Sequence, residues 1–149
     1  MKKLTLIQAT ADHIEAAAAL FNGYRQFYHF PSDLEACRGY LRDRVAHGDS
    51  CIYLVMADNR PAGFMQLYPS FSSLSLRRVW ILYDLFVAED SRKLGVANML
   101  LEKAHALAVE SGASEVNLAT AIDNRPAQRA YEQMGWVRDE EFYYYNLVI

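Results

Sequence analysis

Histidine and cysteine are sparse in this chain, and their sparseness excludes a good deal. The four histidines, His13, His29, His47 and His105, are scattered singly, and Cys37 and Cys51 lack the paired spacing of a zinc site. No metal is expected. Two cysteines are too few for a disulfide-stapled scaffold, and free thiols in a reducing cytoplasm are the natural reading. The opening MKKLTLI imitates a signal peptide, but its apolar run stops at Gln8, Asp12 and Glu15 follow, and no cleavage-like segment appears. No apolar run approaches the roughly 20 residues of a membrane span, so a membrane is not an expected partner. A basic excess is missing too. The net charge of −3 argues against a nucleic-acid binder, and the pairs Arg77-Arg78 and Arg92-Lys93 suit a solvated loop and a phosphate contact. Neither G-x-G-x-x-G nor a G-K-[ST] ending occurs, which weakens any case for mononucleotide binding.

What is present is an ordinary globular composition. Of the 149 residues, 52% are hydrophobic and 22% charged. A chain of that length folds as one domain and buries roughly 70% of its unfolded surface. There is no repeat, linker or low-complexity segment, so residues 1–149 are expected to form a single domain.

The most informative stretch is 80–99, WILYDLFVAEDSRKLGVANM. Its first half is apolar, β-branched and aromatic, interrupted only by Asp84, and reads as a strand. A polar segment follows. A helix then begins near Gly95, with Val96, Ala97, Leu100, Leu101, Ala104 and Ala108 on one face. The first N–H groups of a helix have no internal partner and sit at the positive end of its dipole, so this junction suits a phosphate or pyrophosphate. Gly95 and Ala97 leave room for it and Arg92 adds charge; an ordinary strand-to-helix turn is the plainer alternative.

Along the chain, residues 4–9 read as a strand. Thr10 or Asp12 caps a helix carrying Ile14, Ala17, Ala18, Phe21, Tyr24 and Tyr28 at helical spacing. Ser32, with Glu35 completing a capping box, starts a second helix that Gly48 ends. Strands 51–57 and 62–68 form a hairpin around Asp58-Asn59-Arg60-Pro61, and a serine-rich loop, 69–75, leads to strand 77–87. Gly112 closes the long helix. Strand 115–121 follows, then a short helix capped by Asp123 or Asn124, and residues 136–148 supply one or two closing strands. The order is β-α-α-β-β-β-α-β-α-β-β. A strand–helix–strand unit needs a parallel pair and hairpins need antiparallel ones, so the fold class is α/β with a mixed sheet.

Two blocks, Arg92-x-x-Gly95-x-Ala97 after Asp84-Leu85-Phe86-Val87, and Asn124-Arg125-Pro126-Ala127 with Tyr131 and Gly135-Trp136, together resemble the GNAT N-acetyltransferase superfamily. Within it, QLYPSFSS (66–73) and GYRQFY (23–28) resemble the branch holding histone and polyamine N-acetyltransferases. The resemblance implies a central mixed sheet of six to seven strands flanked by about four helices. It also implies that the Asp84 and Glu115 strands splay to admit the pantetheine of acetyl-CoA. On that likeness the backbone of Leu85, Phe86 and Val87 pairs with pantetheine, and Arg92, Lys93, Leu94, Gly95, Val96, Ala97 and Asn98 hold the pyrophosphate. Asn124 bonds the pantetheine arm or caps its helix, and Ala127 and Tyr131 complete the cofactor site. A homodimer is implied as well.

Acetyl transfer to an amine needs a base and an acid. At pKa ~10.4, an amine costs roughly 4–5 kcal/mol to present as free base at pH 7, and the leaving thiolate wants a proton. Asp84 is the candidate base, directly or through water, because a carboxylate inside an apolar strand is costly unless paired or functional. Capping, pairing with an arginine, or binding the substrate ammonium are its other possible roles. Tyr131 matches the family tyrosine near the thioester sulfur and is the candidate acid; its plainer role is a core aromatic. By the same likeness the acceptor pocket involves Tyr24, Tyr28 and the loop 30–33, with Tyr68 and Asp84; aromatic faces there would enclose a cation, although a tyrosine-rich helix face is more often simply packing. The expected function is transfer of acetyl from acetyl-CoA to a primary amine of a small molecule or peptide. A non-catalytic CoA-binding sensor is the alternative.

Overall fold

The computed structural model describes residues 2–149. Backbone contacts divide the chain into two units, the first ending at Ala119 and the second being Thr120–Ile149.

In the first unit, strands β1 (Leu4–Gln8), β2 (Cys51–Ala57), β3 (Arg60–Ser72), β4 (Arg77–Val87) and β5 (Glu115–Asn117) form one sheet in that order. The first three pairings are antiparallel and β4–β5 is parallel, the mixed sheet expected from the connections. Helices α1 (Ile14–Phe27) and α2 (Leu34–His47) pack together. Ile14, Ala17, Ala18 and Phe21 of α1, with Cys37 and Leu41 of α2, bury themselves against Ile52, Leu54 and Phe64 of the sheet. Helix α3 (Val96–Glu110) buries Val96, Leu100, Leu101, Ala104 and Ala108 against β2, β3 and β4. Its N-terminus sits so close to β3 that a Cβ on Gly63 would overlap Val96 Cγ1 and lie 3.2 Å from Leu100 Cδ1. Only glycine fits there. Cys37 and Cys51 are both free thiols.

The sheet has five strands among the described residues, where six to seven were expected. β5 ends at Asn117 rather than 121, because its pairing with β4 spans only Val79–Ile81. Beyond that point β4 enters a bulge, which twists a strand away from its neighbour. Residues 136–149 contain no strand. Their aromatic content favours β-structure only where an edge is available to pair with, since strand propensity reports packing on a sheet rather than a backbone preference. The second strand of the hairpin is longer than expected, absorbing much of the serine-rich loop. The second helix is capped not by Ser32 but by Asp33, whose Oδ1 accepts from Ala36 N–H at 3.1 Å. Ser32 is engaged elsewhere, its Oγ accepting from Asn22 Nδ2.

In the second unit, α4 (Arg125–Gln133) begins at Asn124 with Pro126 in its first turn, and Gly135, at φ +91°, follows its end.

Candidate active site

Asp84 occupies the centre of β4 and is 3% exposed. Its placement depends on one extra residue. Leu82 pairs with Leu67 and Asp84 pairs with Gln66, so Tyr83 has no partner on β3. In a regular strand, residues two apart share a face. The bulge at Tyr83 breaks that rule, putting Leu82 and Asp84 on opposite faces and turning Asp84 toward the side of α1 and α2. Tyr24 of α1 secures the bulge by donating its hydroxyl to the Tyr83 carbonyl at 2.9 Å. Gly23 makes this approach possible, because a Cβ there would come within 3.0 Å of the Phe86 ring.

The Asp84 carboxylate accepts a hydrogen bond from Gln66 Nε2 at 2.8 Å, and Gln66 Oε1 accepts in turn from Ser50 Oγ at 2.9 Å. Burial pushes Asp84 up from 3.8 to about 6, with Gln66 and Tyr24 opposing the rise. Burial, and next the nearby Asp84 carboxylate, hold the Tyr24 phenol above its ordinary range. Tyr68 is raised too, by burial, its bond to Tyr40 and the Asp84 charge. The predicted acceptor residues therefore do gather. Tyr28 meets Tyr24 edge-on at 5.2 Å, and Tyr68 meets Tyr83 edge-on at 5.7 Å.

Sequence reasoning missed several members of this cluster. Tyr40 of α2 shares a 2.6 Å hydrogen bond with the Tyr68 hydroxyl, and Arg44 stacks its guanidinium over Tyr40. Tyr83, 65% exposed, lies beside Tyr68. Gln66 did leave a trace: it interrupts the apolar run of β3 just as Asp84 interrupts β4.

The neighbouring backbone is half-used. Leu85, Phe86 and Val87 pair with Met65, Phe64 and Gly63 of β3, but β5 stops short of them. Alternate N–H and C=O groups on the β5 side of β4 thus have no sheet partner. Past Val87, a 3-10 turn (Glu89–Ser91) leads to Lys93 at φ +65° and Gly95 at φ +86°. Gly95 is the N-cap of α3 and offers no capping side chain. The first helical bond is Met99 N–H to Gly95 O, so the N–H groups of Val96, Ala97 and Asn98 lack helical acceptors. They border an open concavity of about 310 Å³ lined by Val87, Ser91, Arg92, Lys93, Gly95, Val96, Ala97 and Asn98. A Cβ on Gly95 would meet nothing within 4 Å. Orphan donors, two cations and open space fit a pyrophosphate. Of the predicted loop only Leu94 lies outside the lining, and Ser91 is an addition.

Within the second unit, Asn124 Oδ1 accepts from Ala127 N–H at 3.4 Å, the capping role. The Tyr131 ring lies 6.0 Å from the Trp136 ring, and the Trp136 backbone N–H donates to the Tyr131 carbonyl. Among the described residues no cluster of three His, Cys, Asp or Glu forms a metal site, and no helix is long and apolar enough to cross a membrane.

Comparison with known proteins identifies the family. The model of the acetyltransferase (GNAT) family matches residues 15–136. An uncharacterized N-acetyltransferase of Bacillus subtilis (strain 168), YhfO, is 39% identical over 144 residues, covering 97% of each chain. A crystal structure of a probable acetyltransferase is 46% identical with a TM-score of 0.92, again over 97% of each chain. Aminoglycoside N-acetyltransferase AAC(6')-Iy, solved in complex with CoA, has the same fold at 19% identity, with a TM-score of 0.82 over 99% of this chain and 96% of its own.

Proposed function

The chain belongs to the acetyltransferase (GNAT) family and is an acetyl-CoA-dependent N-acetyltransferase, and we propose that its acceptor is a primary amine seated against Asp84. Acetyl-CoA supplies the acetyl group as a thioester, whose carbonyl the free amine attacks in a ternary complex. The C–N bond forms, the C–S bond breaks, and Asp84 takes the proton that the amine gives up. Tyr131 gives its hydroxyl proton to the departing thiolate. Residues 92–98 hold the pyrophosphate through backbone N–H groups, Arg92 and Lys93, while the unpaired side of Leu85–Val87 receives the pantetheine arm.

The observation that carries this reading is a carboxylate only 3% exposed, pushed up to about 6 by burial, with Tyr24 and Tyr68 beside it and the exposed Tyr28 and Tyr83 in ring contact with them. A base with that value is ionised at neutral pH yet basic enough to be useful. The tyrosines would stabilise an ammonium by cation–π attraction before its proton is lost. Cytoplasmic location and a homodimeric assembly belong to the same proposal, on family likeness alone.

The test is thiol release from acetyl-CoA with a panel of polyamines, amino acids, basic peptides and an aminoglycoside, the last prompted by the name of the CoA-bound relative. Release well above an Asp84→Asn control with at least one amine is expected. CoA binding without release for any acceptor would leave a CoA-binding module instead.

A further inference from the structure

We infer that Gln66 is a positioning residue for the transfer: its side-chain amide fixes the orientation of Asp84 and favours the carboxylate form, and Ser50 holds the amide in place. The inference rests on Asp84 as the proton acceptor.

Gln66 has no exposed surface. A buried side-chain amide with idle polar atoms is destabilising, yet here both ends are engaged, Nε2 on Asp84 and Oε1 on Ser50. Gln66 is also the direct cross-strand partner of Asp84, next to the bulge. Its reach is therefore set by the sheet and not by a flexible loop.

The direction of the amide follows from the charge. With Asp84 ionised, a flipped amide would set two acceptor oxygens against each other, so Nε2 must face the carboxylate. The Ser50 hydroxyl then donates to Oε1. Tyr24 also lies beside Asp84 and favours its carboxylate after Gln66 does, but its hydroxyl is shared with the Tyr83 carbonyl at 2.9 Å, whereas the Gln66 amide has no other acceptor among the described residues. The remaining groups around the carboxylate are Tyr68 of β3, with Tyr40 and Arg44 of α2 behind it. Phenols and a guanidinium keep one charge state between pH 5 and 8, so a titration in that window belongs to Asp84. Burial alone would keep the acid protonated to higher pH, and a protonated acid cannot accept the amine's proton. Gln66 opposes that.

The experiment follows the ¹³C shift of the Asp84 carboxyl against pH in the wild type, Gln66→Met and Ser50→Ala, alongside kcat/KM against pH. In Gln66→Met the titration midpoint and the acidic limb of the rate should both move up by about one pH unit. Ser50→Ala should move them the same way by less. A purely structural Gln66 would lower the melting temperature and leave the midpoint in place, and that result overturns the inference. If Gln66→Met does not fold, an unmoved midpoint in Ser50→Ala overturns it instead. Asp84→Asn separates this from the reading beneath it. An acidic limb that survives in Asp84→Asn removes Asp84 as the base, and Gln66 with it. A limb that vanishes there but stays unmoved in Gln66→Met removes Gln66 alone.

Discussion

An aspartate buried to 3% exposure has given up most of its hydration, and the fold bears that cost whenever the group is charged. For Asp84 the folded value of about 6 lies above the ordinary 3.8. A raised acid stabilises the native state fully below the lower value, and that stability is lost as pH rises through the higher one. The gap corresponds to roughly 3 kcal/mol. Asp84→Asn should therefore be more stable than the wild type at pH 7.5 and show little advantage at pH 3.5, as urea melts at the two pH values would reveal. It should at the same time be nearly inactive, a site where function is kept against stability. Tyr131 makes a simpler case. Tyr131→Phe keeps the ring beside Trp136 and removes the hydroxyl, so turnover should fall about 10²–10⁴-fold. An unchanged kcat, with chemistry rate-limiting, would return Tyr131 to a packing role.

Among the elements, the contact between β3 and α3 controls the shape of the anion loop. Gly63→Ala would drive a methyl into Val96, the first residue of α3. Overpacking of this kind costs about 1–3 kcal/mol, and the shift should be felt in the N–H groups of residues 96–98. We expect weaker CoA binding by isothermal titration calorimetry. Gly39→Ala is the control, since its Cβ would meet nothing within 4 Å, and wild-type affinity in Gly63→Ala would show that helix seating does not shape the loop. The β4–α3 junction was legible in sequence because its chemistry is local: a strand, a glycine, cations and a helix start follow one another. Asp84 was legible because a charge stands out in an apolar run. A bulge near residues 85–87 is what the family likeness suggests; its actual place at Tyr83 was not legible, since one extra residue in a strand leaves no mark until the partner's register is known. Tyr40 and Arg44 were hidden for a related reason, because their role depends on which way α2 leans. Ser32 and Asp33 are both good caps, and only the pull of Asn22 on Ser32 decides between them. The closing strands were over-read from residues 136–148, whose propensity says nothing about an available edge.

For the molecule as a whole, the sheet separates two tasks. Asp84, Gln66 and Tyr68 look toward α1 and α2, whereas Gly63 opposes α3 and its anion loop. Tyr40→Phe, which breaks the Tyr40–Tyr68 hydrogen bond, should accordingly alter KM for the amine while Kd for CoA stays put. A change in both would mean the two sides communicate. Their separation gives this chain a particular kind of evolvability. If the acceptor is seated against Asp84 as proposed, substitutions on α1 and α2 would redraw its choice one residue at a time, and each intermediate would keep a working grip on the acyl donor. The bulge at Tyr83 is what turns Asp84 toward α1 and α2 while Leu82 stays on the opposite face, so on the proposed reading it is where drift in specificity should be slow.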